Sequence, residues 1–110
     1  MGYLMGQFLF FEINLSYKNL IVILENLHNM IEKTNDNKLK NIYRILDKSK
    51  ASLSFSIITS FPETSAKIRL RHDQWIKIIE CSQTNKQIIE SLESKISILK
   101  KYQRNTIYGL

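Results

Sequence analysis

Cysteine, proline and glycine are scarce in this sequence, and each scarcity excludes a class of protein. Among the 110 residues there is one cysteine, so an intramolecular disulfide is excluded and a reducing compartment such as the cytoplasm is the simpler location. One proline and three glycines are too few for a turn-rich β architecture. We therefore expect a cytoplasmic, predominantly helical protein with a single domain.

The motifs of common catalytic and cofactor sites are also missing. The sequence has no phosphate-binding loop, no GxSxG and no HExxH. Cys81 has no suitable base, because His72 precedes it by more than two turns of a predicted helix. Neither His28 nor His72 has neighbours at metal-ligand spacing. We predict no enzyme activity, no catalytic residue, no cofactor and no metal.

Long hydrophobic runs are absent as well. No stretch of eighteen apolar residues occurs, so membrane insertion is not expected. Residues 1–11 are apolar but lack a basic region and a cleavage site, so they are a poor signal peptide. We expect a single helical domain over residues 1–110, in which residues 1–11 are an apolar lead-in and a candidate for disorder, and residues 103–110 are a C-terminal tail.

Charge of one sign is in excess, since the formal net charge is +6 at pH 7. Such an excess is compatible with an anionic partner such as nucleic acid. The basic residues are interleaved with acidic ones along all predicted helices, however, and solvated helix faces are the favoured explanation of that pattern. A basic helical nucleic-acid binder therefore ranks third among the functional hypotheses, and we expect no nucleic-acid partner.

The apolar residues that are present have mostly helical spacing. Leu20, Leu24, Leu27 and Ile31 predict a first helix over residues 12–33, capped by Asn14 or Ser16, although Leu20–Leu24 alone would also fit a buried strand. The polar residues 34–37 predict a turn, with Asn35 or Asp36 capping the next helix. A second helix is predicted from about 37 to 60, although residues 53–59 alternate as a strand would.

A third helix is predicted from Ala66 to Tyr102, and it is the longest. At heptad spacing it presents one apolar seam with a polar pair in the middle. The polar pair, Ser82 and Asn85, either fixes the pairing of helices or merely faces solvent. The members of the seam are Trp75, Ile78, Ser82, Asn85, Ile89, Leu92, Ile96 and Leu99.

Together these helices predict an all-α fold, a three-helix antiparallel bundle or coiled coil with a long projecting C-terminal helix. The third helix is longer than its two neighbours, so the seam after Asn85 has no intramolecular cover in this arrangement. An uncovered apolar seam requires a second copy of the chain or a client helix.

The last third of the chain resembles a known family. The residues concerned are Trp75, the Asn85-x-x-Ile88-Ile89 stretch, the Leu/Ile seam to Leu99 and the tail residues 103–109, Gln-Arg-Asn-Thr-Ile-Tyr-Gly. They resemble the C-terminal half of the flagellar hook–filament junction protein export chaperones, the FlgN family.

The resemblance implies a cytoplasmic, non-enzymatic chaperone of type III export in flagellum assembly. Its partners would be hook-associated junction proteins, whose amphipathic terminal segment it keeps from aggregating, and the flagellar export apparatus. The implied client-binding residues are Ile89, Leu92, Ile96 and Leu99, and the implied export-gate docking residue is Tyr108. The alternative function is a structural, self-associating coiled-coil protein.

Overall fold

The fold consists of two strands and four helices in the described part of the chain. In this computed structural model, residues 10–59 and 65–108 are described, with side chains for 10–53 and 65–101. The elements in chain order are β1 (Phe10–Ser16), α1 (Tyr17–Thr34), α2 (Asn37–Thr59), β2 (Ser65–Arg71), α3 (His72–Cys81) and α4 (Lys86–Tyr108).

The prediction of an all-α three-helix bundle is wrong. The first helix begins at Tyr17 rather than at residue 12, and the single helix predicted over residues 66–102 is divided into β2, α3 and α4. Apolar and polar residues alternate in 11–15 and in 66–70, as is typical of strands. These segments form strands rather than helices because each has the other as a pairing partner. The last helix, α4, is not a free extension of a bundle, since it packs against β1 and α3.

The two strands form one antiparallel ribbon. Ile13 lies opposite Ile68 at its centre, and Phe10 lies opposite Arg71 at one end. Side chains alternate between the two faces of a strand, so the apolar residues face the helices and the polar residues face away. A two-stranded ribbon is marginally stable in water, so the helices that cover its inward face are what stabilise it. The buried residues of this face are Phe11, Ile13, Leu15, Ile68 and Leu70.

The architecture is a strand–helix–helix unit that occurs twice. A shift of 55 residues places Phe10–Ser16 on Ser65–Arg71, and each strand runs directly into a helix. The second helix of each unit has 23 residues, whereas the first helices differ, with 18 residues in α1 and 10 in α3. Ile13 and Ile68 are equivalent at this shift and are also paired with each other in the ribbon. A pseudo-twofold axis that exchanges the two strands therefore passes between them.

The two units are interwoven around one core. Helix α2 of the first unit packs against β2 of the second, α4 packs against β1, and α1 contacts α3. The ribbon and the helices therefore bury their apolar faces together, and neither unit has a core of its own. The buried helical residues are Leu20, Ile23, Leu24, Leu27, Leu39, Ile42, Leu46, Leu53, Trp75, Ile78, Ile79, Ile88, Leu92 and Ile96.

Trp75 connects the two units at the centre of this core. Its side chain is 0% exposed, and its indole Nε1 donates a hydrogen bond of 2.9 Å to the backbone carbonyl of Phe11. The bond joins α3 of the second unit to β1 of the first. It also gives the buried indole N–H a partner in place of the water that it loses on folding.

The predictions for the chain between Ser16 and Thr59 are confirmed in their main features. Residues 20–24 and 53–59 are helical, so neither segment forms the strand that its pattern would also fit. Ser16 is the N-cap of α1, where its hydroxyl accepts a hydrogen bond of 3.2 Å from the Asn19 N–H.

The turn between α1 and α2 also has the predicted chemistry. Asn35 adopts a φ of 55°, in the left-handed region that asparagine tolerates. The carboxylate of Asp36 accepts a hydrogen bond of 2.8 Å from the Lys38 N–H, which caps α2. Lys77 of α3 lies 3.6 Å from the other oxygen of the same carboxylate, so this cap connects the first unit to the second.

The polar pair Ser82 and Asn85 marks the end of one helix and the start of the next. Both residues belong to the break between α3 and α4, and Ser82 is 0% exposed. The Asn26 amide Nδ2 lies 2.8 Å from Asn85 Oδ1 and 3.4 Å from Ser82 Oγ. Ser82 is therefore shielded from solvent and Asn85 is half-buried, and both residues contact Asn26 of α1 at the point where α4 begins.

This polar junction gives a stability prediction. Replacing Asn26 or Asn85 with Ala should each destabilise the protein, because a hydrogen bond of this kind contributes about 1 kcal/mol. The double variant should cost less than the sum of the singles, with a coupling of about 1 kcal/mol in a urea-denaturation cycle. Asn29→Ala, at an exposed position of the same helix, is the control. Strictly additive single variants would contradict a direct Asn26–Asn85 bond.

Candidate nucleic-acid interface

The outward face of the ribbon is a solvent-exposed polar surface, here called the ribbon face. Strand β2 contributes three cations to it and β1 contributes one carboxylate, so the ribbon face is basic. Every member is exposed except Arg71, which is half-exposed. The ribbon face consists of Phe10, Glu12, Asn14 and Ser16 from β1 and Ser65, Lys67, Arg69 and Arg71 from β2.

Two of these side chains are held in position by neighbours. The guanidinium carbon of Arg69 lies 4.8 Å from the ring centroid of Phe10, a cation–π contact across the ribbon. The Nε of Arg71 lies 3.4 Å from a carboxylate oxygen of Asp73, and the side chains of this pair remain 41% and 54% exposed. Arg69 therefore has a preferred direction, with Glu12 directly opposite it in the ribbon, whereas Arg71 is paired with Asp73.

The side chains of the ribbon face are of the types that recognise base edges. Arginine and lysine donate to O6 and N7 of guanine, asparagine pairs with N6 and N7 of adenine, and glutamate accepts from N4 of cytosine. Lys67, Arg69, Asn14 and Glu12 supply these groups on one surface. A two-stranded β-ribbon fits the major groove of B-DNA, which is about 12 Å wide.

A basic cleft adjoins the end of β1. It has a volume of about 540 Å³ and lies between the N-terminal turns of α1 and α4. Lys18, two residues after the ribbon ends, and Lys86 line the cleft with Asn19 and Asn85. Helix N-termini carry partial positive charge and unpaired N–H groups, so this cleft has the chemistry of a phosphate contact.

The four residues predicted to bind a client do not form one open seam. Leu92 is 1% exposed and Ile96 5%, and both belong to the core, whereas Ile89 and Leu99 are half-buried against it. The inference that this seam has no intramolecular cover is therefore wrong, because α4 packs against β1 and α3. The client-binding role of these residues stays a prediction. Tyr108 is the last residue of α4, and its side chain lies outside the described residues.

Among the side chains of residues 10–53 and 65–101, three titratable groups have shifted pKa values, and none of them belongs to the ribbon face. Burial raises the pKa of the half-buried Cys81 thiol, which favours its protonated, unreactive form. The backbone N–H of Lys38 lowers the pKa of Asp36. Burial, and then the charge of Lys100, lower the pKa of His72 below its ordinary value of 6.5. The folded state therefore binds a proton at His72 less readily than the unfolded state does. The free energy of unfolding has its full contribution from this group above pH 6.5 and loses that contribution as the pH falls.

Residues 10–59 and 65–108 contain no cluster of metal ligands. No group of three or more His, Cys, Asp or Glu side chains in these segments could hold a metal ion. None of the helices in the same segments is both long enough and apolar enough to cross a membrane.

Comparison with known proteins identifies no relative of this chain. No protein-family model matches it, and neither do any curated proteins or solved structures. A functional proposal therefore has to be based on the ribbon face and the basic cleft themselves.

The ribbon face was missed at the level of sequence because its two strands were assigned to helices. One available signal is the alternation of apolar and polar residues in 11–15 and again in 66–70. A second is an internal repeat, which also continues into the helices. At a shift of 55 residues, Ile13, Leu15, Ile21, Ile23 and Glu25 recur as Ile68, Leu70, Ile76, Ile78 and Glu80.

Proposed function

We propose that this protein binds double-stranded DNA by inserting the β-ribbon into the major groove. The observation that carries the proposal is the ribbon face, an uncovered surface of a two-stranded ribbon with three cations and an amide. Proteins of the β-ribbon class dock in this way, with outward side chains reaching base edges while helices support the ribbon from behind. This proposal departs from the expectation of no nucleic-acid partner, which assumed an all-helical arrangement.

Two groups of residues have different roles in the proposed complex, one in positioning the protein and one in selecting the sequence. Phosphate contacts fix the orientation of a protein on the duplex, and base contacts select the sequence. In this proposal, Lys18 and Lys86 of the basic cleft supply phosphate contacts, and Asn14, Lys67 and Arg69 contact bases. The net charge of +6 favours association with a polyanion.

The decisive experiment compares random with selected duplex DNA and then tests whether the major groove is contacted. We expect fluorescence anisotropy to detect binding to random duplex DNA with a Kd of about 10⁻⁴ to 10⁻⁶ M at physiological salt, and much tighter binding to a selected site. Replacing guanine with 7-deazaguanine in that site removes N7 from the major groove and should weaken binding. Equal affinity for the normal and 7-deaza duplexes, or no duplex binding at low salt, would refute the proposal.

The role of the basic cleft predicts a change in salt dependence. Replacing both Lys18 and Lys86 with Gln should lower the magnitude of the slope of log Kobs against log salt by about one for each phosphate that is no longer neutralised, so by about two. The preference for the selected site over other duplexes should stay the same, because phosphate contacts carry no sequence information. Lys48→Gln, at an exposed position of α2, is the matched control. An unchanged slope would assign the phosphate contacts elsewhere.

Export-chaperone activity stays a second candidate, because residues 75–109 resemble the C-terminal half of the FlgN family. Half-buried Leu99 and 55%-exposed Ile98 line a small groove beside β1 that an apolar segment could contact. In that case Leu99→Asp should abolish co-purification of a client and leave helical circular dichroism largely intact, since Leu99 lies at the edge of the core. Retained client binding by this variant would exclude Leu99 from the client site.

A further inference from the structure

The two strands of the ribbon match on one face and differ on the other. On the inward face, Ile13 and Leu15 occupy the positions that Ile68 and Leu70 occupy in the second unit. These residues are buried in the common core, where their shape and apolar character are what matters. The pseudo-twofold symmetry is thus retained in these four core side chains, whereas Phe11 corresponds to the smaller Ala66.

The outward positions have different chemistry at equivalent places. Glu12 corresponds to Lys67, and Asn14 corresponds to Arg69, and all four side chains are exposed. In the major groove, glutamate accepts from cytosine, asparagine pairs with adenine, and lysine and arginine donate to guanine. Positions related by the pseudo-twofold axis therefore favour different bases.

The two strands also differ in their own charges, although Lys95 of α4 donates a hydrogen bond of 3.2 Å to the Asn14 carbonyl and places a cation beside β1. Strand β2 carries Lys67, Arg69 and Arg71, whereas β1 carries Glu12 and no cation. A homodimeric reader presents each side chain twice about a true twofold axis, so its DNA site is palindromic. Here one chain supplies both strands, and its two half-sites have no reason to be equal.

We propose that a single chain recognises a non-palindromic duplex site. One half of the site lies at the end of the ribbon where Glu12 is opposite Arg69, and it has cytosine at Glu12 and guanine at Arg69. The other half lies where Asn14 is opposite Lys67, and it has adenine at Asn14 and guanine at Lys67. This inference rests on the proposed DNA-binding function and specifies the class of sequence that is bound and the number of chains that bind it.

The test is selection of binding sites from a pool of random duplexes with the full chain, followed by native mass spectrometry of the complex. We expect a consensus without inverted-repeat symmetry and one chain for each duplex. Palindromes built from two copies of either half should bind about tenfold or more weakly than the selected site, because each introduces mismatched contacts.

An exchange variant makes the test specific to the ribbon face. Glu12→Lys with Asn14→Arg gives β1 the outward chemistry of β2, and we expect it to prefer a palindrome with guanine at all four contacted positions. Both positions are exposed, so circular dichroism should be unchanged. If the double variant does not fold, Asn14→Arg alone should shift the preferred base at one position from adenine to guanine.

The outcomes separate this inference from the proposed function. Failure to bind any duplex would overturn both. Duplex binding with a palindromic consensus, or with two chains on one site, would overturn the asymmetric site and leave DNA binding intact. An exchange variant that folds but keeps the wild-type consensus would equally overturn the assignment of Glu12 and Asn14 as base contacts.

Discussion

Arg69→Ala should weaken binding to the selected duplex by roughly 5- to 150-fold, because one bidentate arginine–guanine contact contributes about 1–3 kcal/mol of discrimination. Arg69 is exposed at the middle of the basic strand, and its contact with Phe10 orients the guanidinium before DNA arrives. The loss should therefore be larger for the selected duplex than for random DNA. Fluorescence anisotropy with both duplexes at one salt concentration measures the difference.

Two further variants separate charge from geometry at this position. Arg69→Lys retains the charge but not the planar pair of donors, so it should restore binding to random DNA and not the preference for the selected site. Arg44→Ala removes an exposed arginine from α2 and is the matched control for net charge. Equal effects of Arg69→Ala and Arg44→Ala on the selected duplex would exclude Arg69 as a base contact.

Trp75→Ala should destabilise the fold far more than any substitution on the ribbon face or in the basic cleft. Removing a fully buried tryptophan costs about 3–5 kcal/mol, a large share of the roughly 5–15 kcal/mol that stabilises a domain. It also leaves the Phe11 carbonyl without its hydrogen bond. Because this is the only tryptophan, urea denaturation should be followed by circular dichroism at 222 nm rather than by fluorescence.

The conservative variant isolates the hydrogen bond. Trp75→Phe retains much of the buried apolar volume and loses the indole N–H, so it should cost less than Trp75→Ala, with about 1–3 kcal/mol due to the unpaired carbonyl. Ile98→Ala, at a 55%-exposed position of α4, is the control and should change stability by less than about 1 kcal/mol. A Trp75→Ala variant as stable as this control would contradict the central position of Trp75.

The helices of the first unit could be predicted from sequence because their signals are local. Leu20, Leu24 and Leu27 repeat at helical spacing, and the cap at Ser16 and the turn at Asn35 and Asp36 require only neighbouring residues. The corresponding signals in the second unit are weaker. The helical spacing continues from Trp75 through Asn85 to Leu99 across the break, so α3 and α4 were predicted as one helix.

The candidate site could not be predicted in the same way because its residues come together only through strand pairing. Asn14 and Lys67 are distant in sequence and directly opposite each other in the ribbon. As residues of predicted helices, Glu12, Lys67 and Arg69 were ordinary solvated charges. Only the ribbon places them on a single surface, on the side away from the core.

By itself, therefore, the sequence determined the helical character of residues 17–59, the caps and turn between the first two helices, and the basic charge of the chain. The tertiary structure decided that residues 10–16 and 65–71 are strands, where the long helix is interrupted, and which face is left open. The physical reason is that a two-stranded ribbon is marginal alone. It becomes stable when interwoven helices bury Ile13, Ile68 and their inward neighbours, a contribution that no local pattern contains.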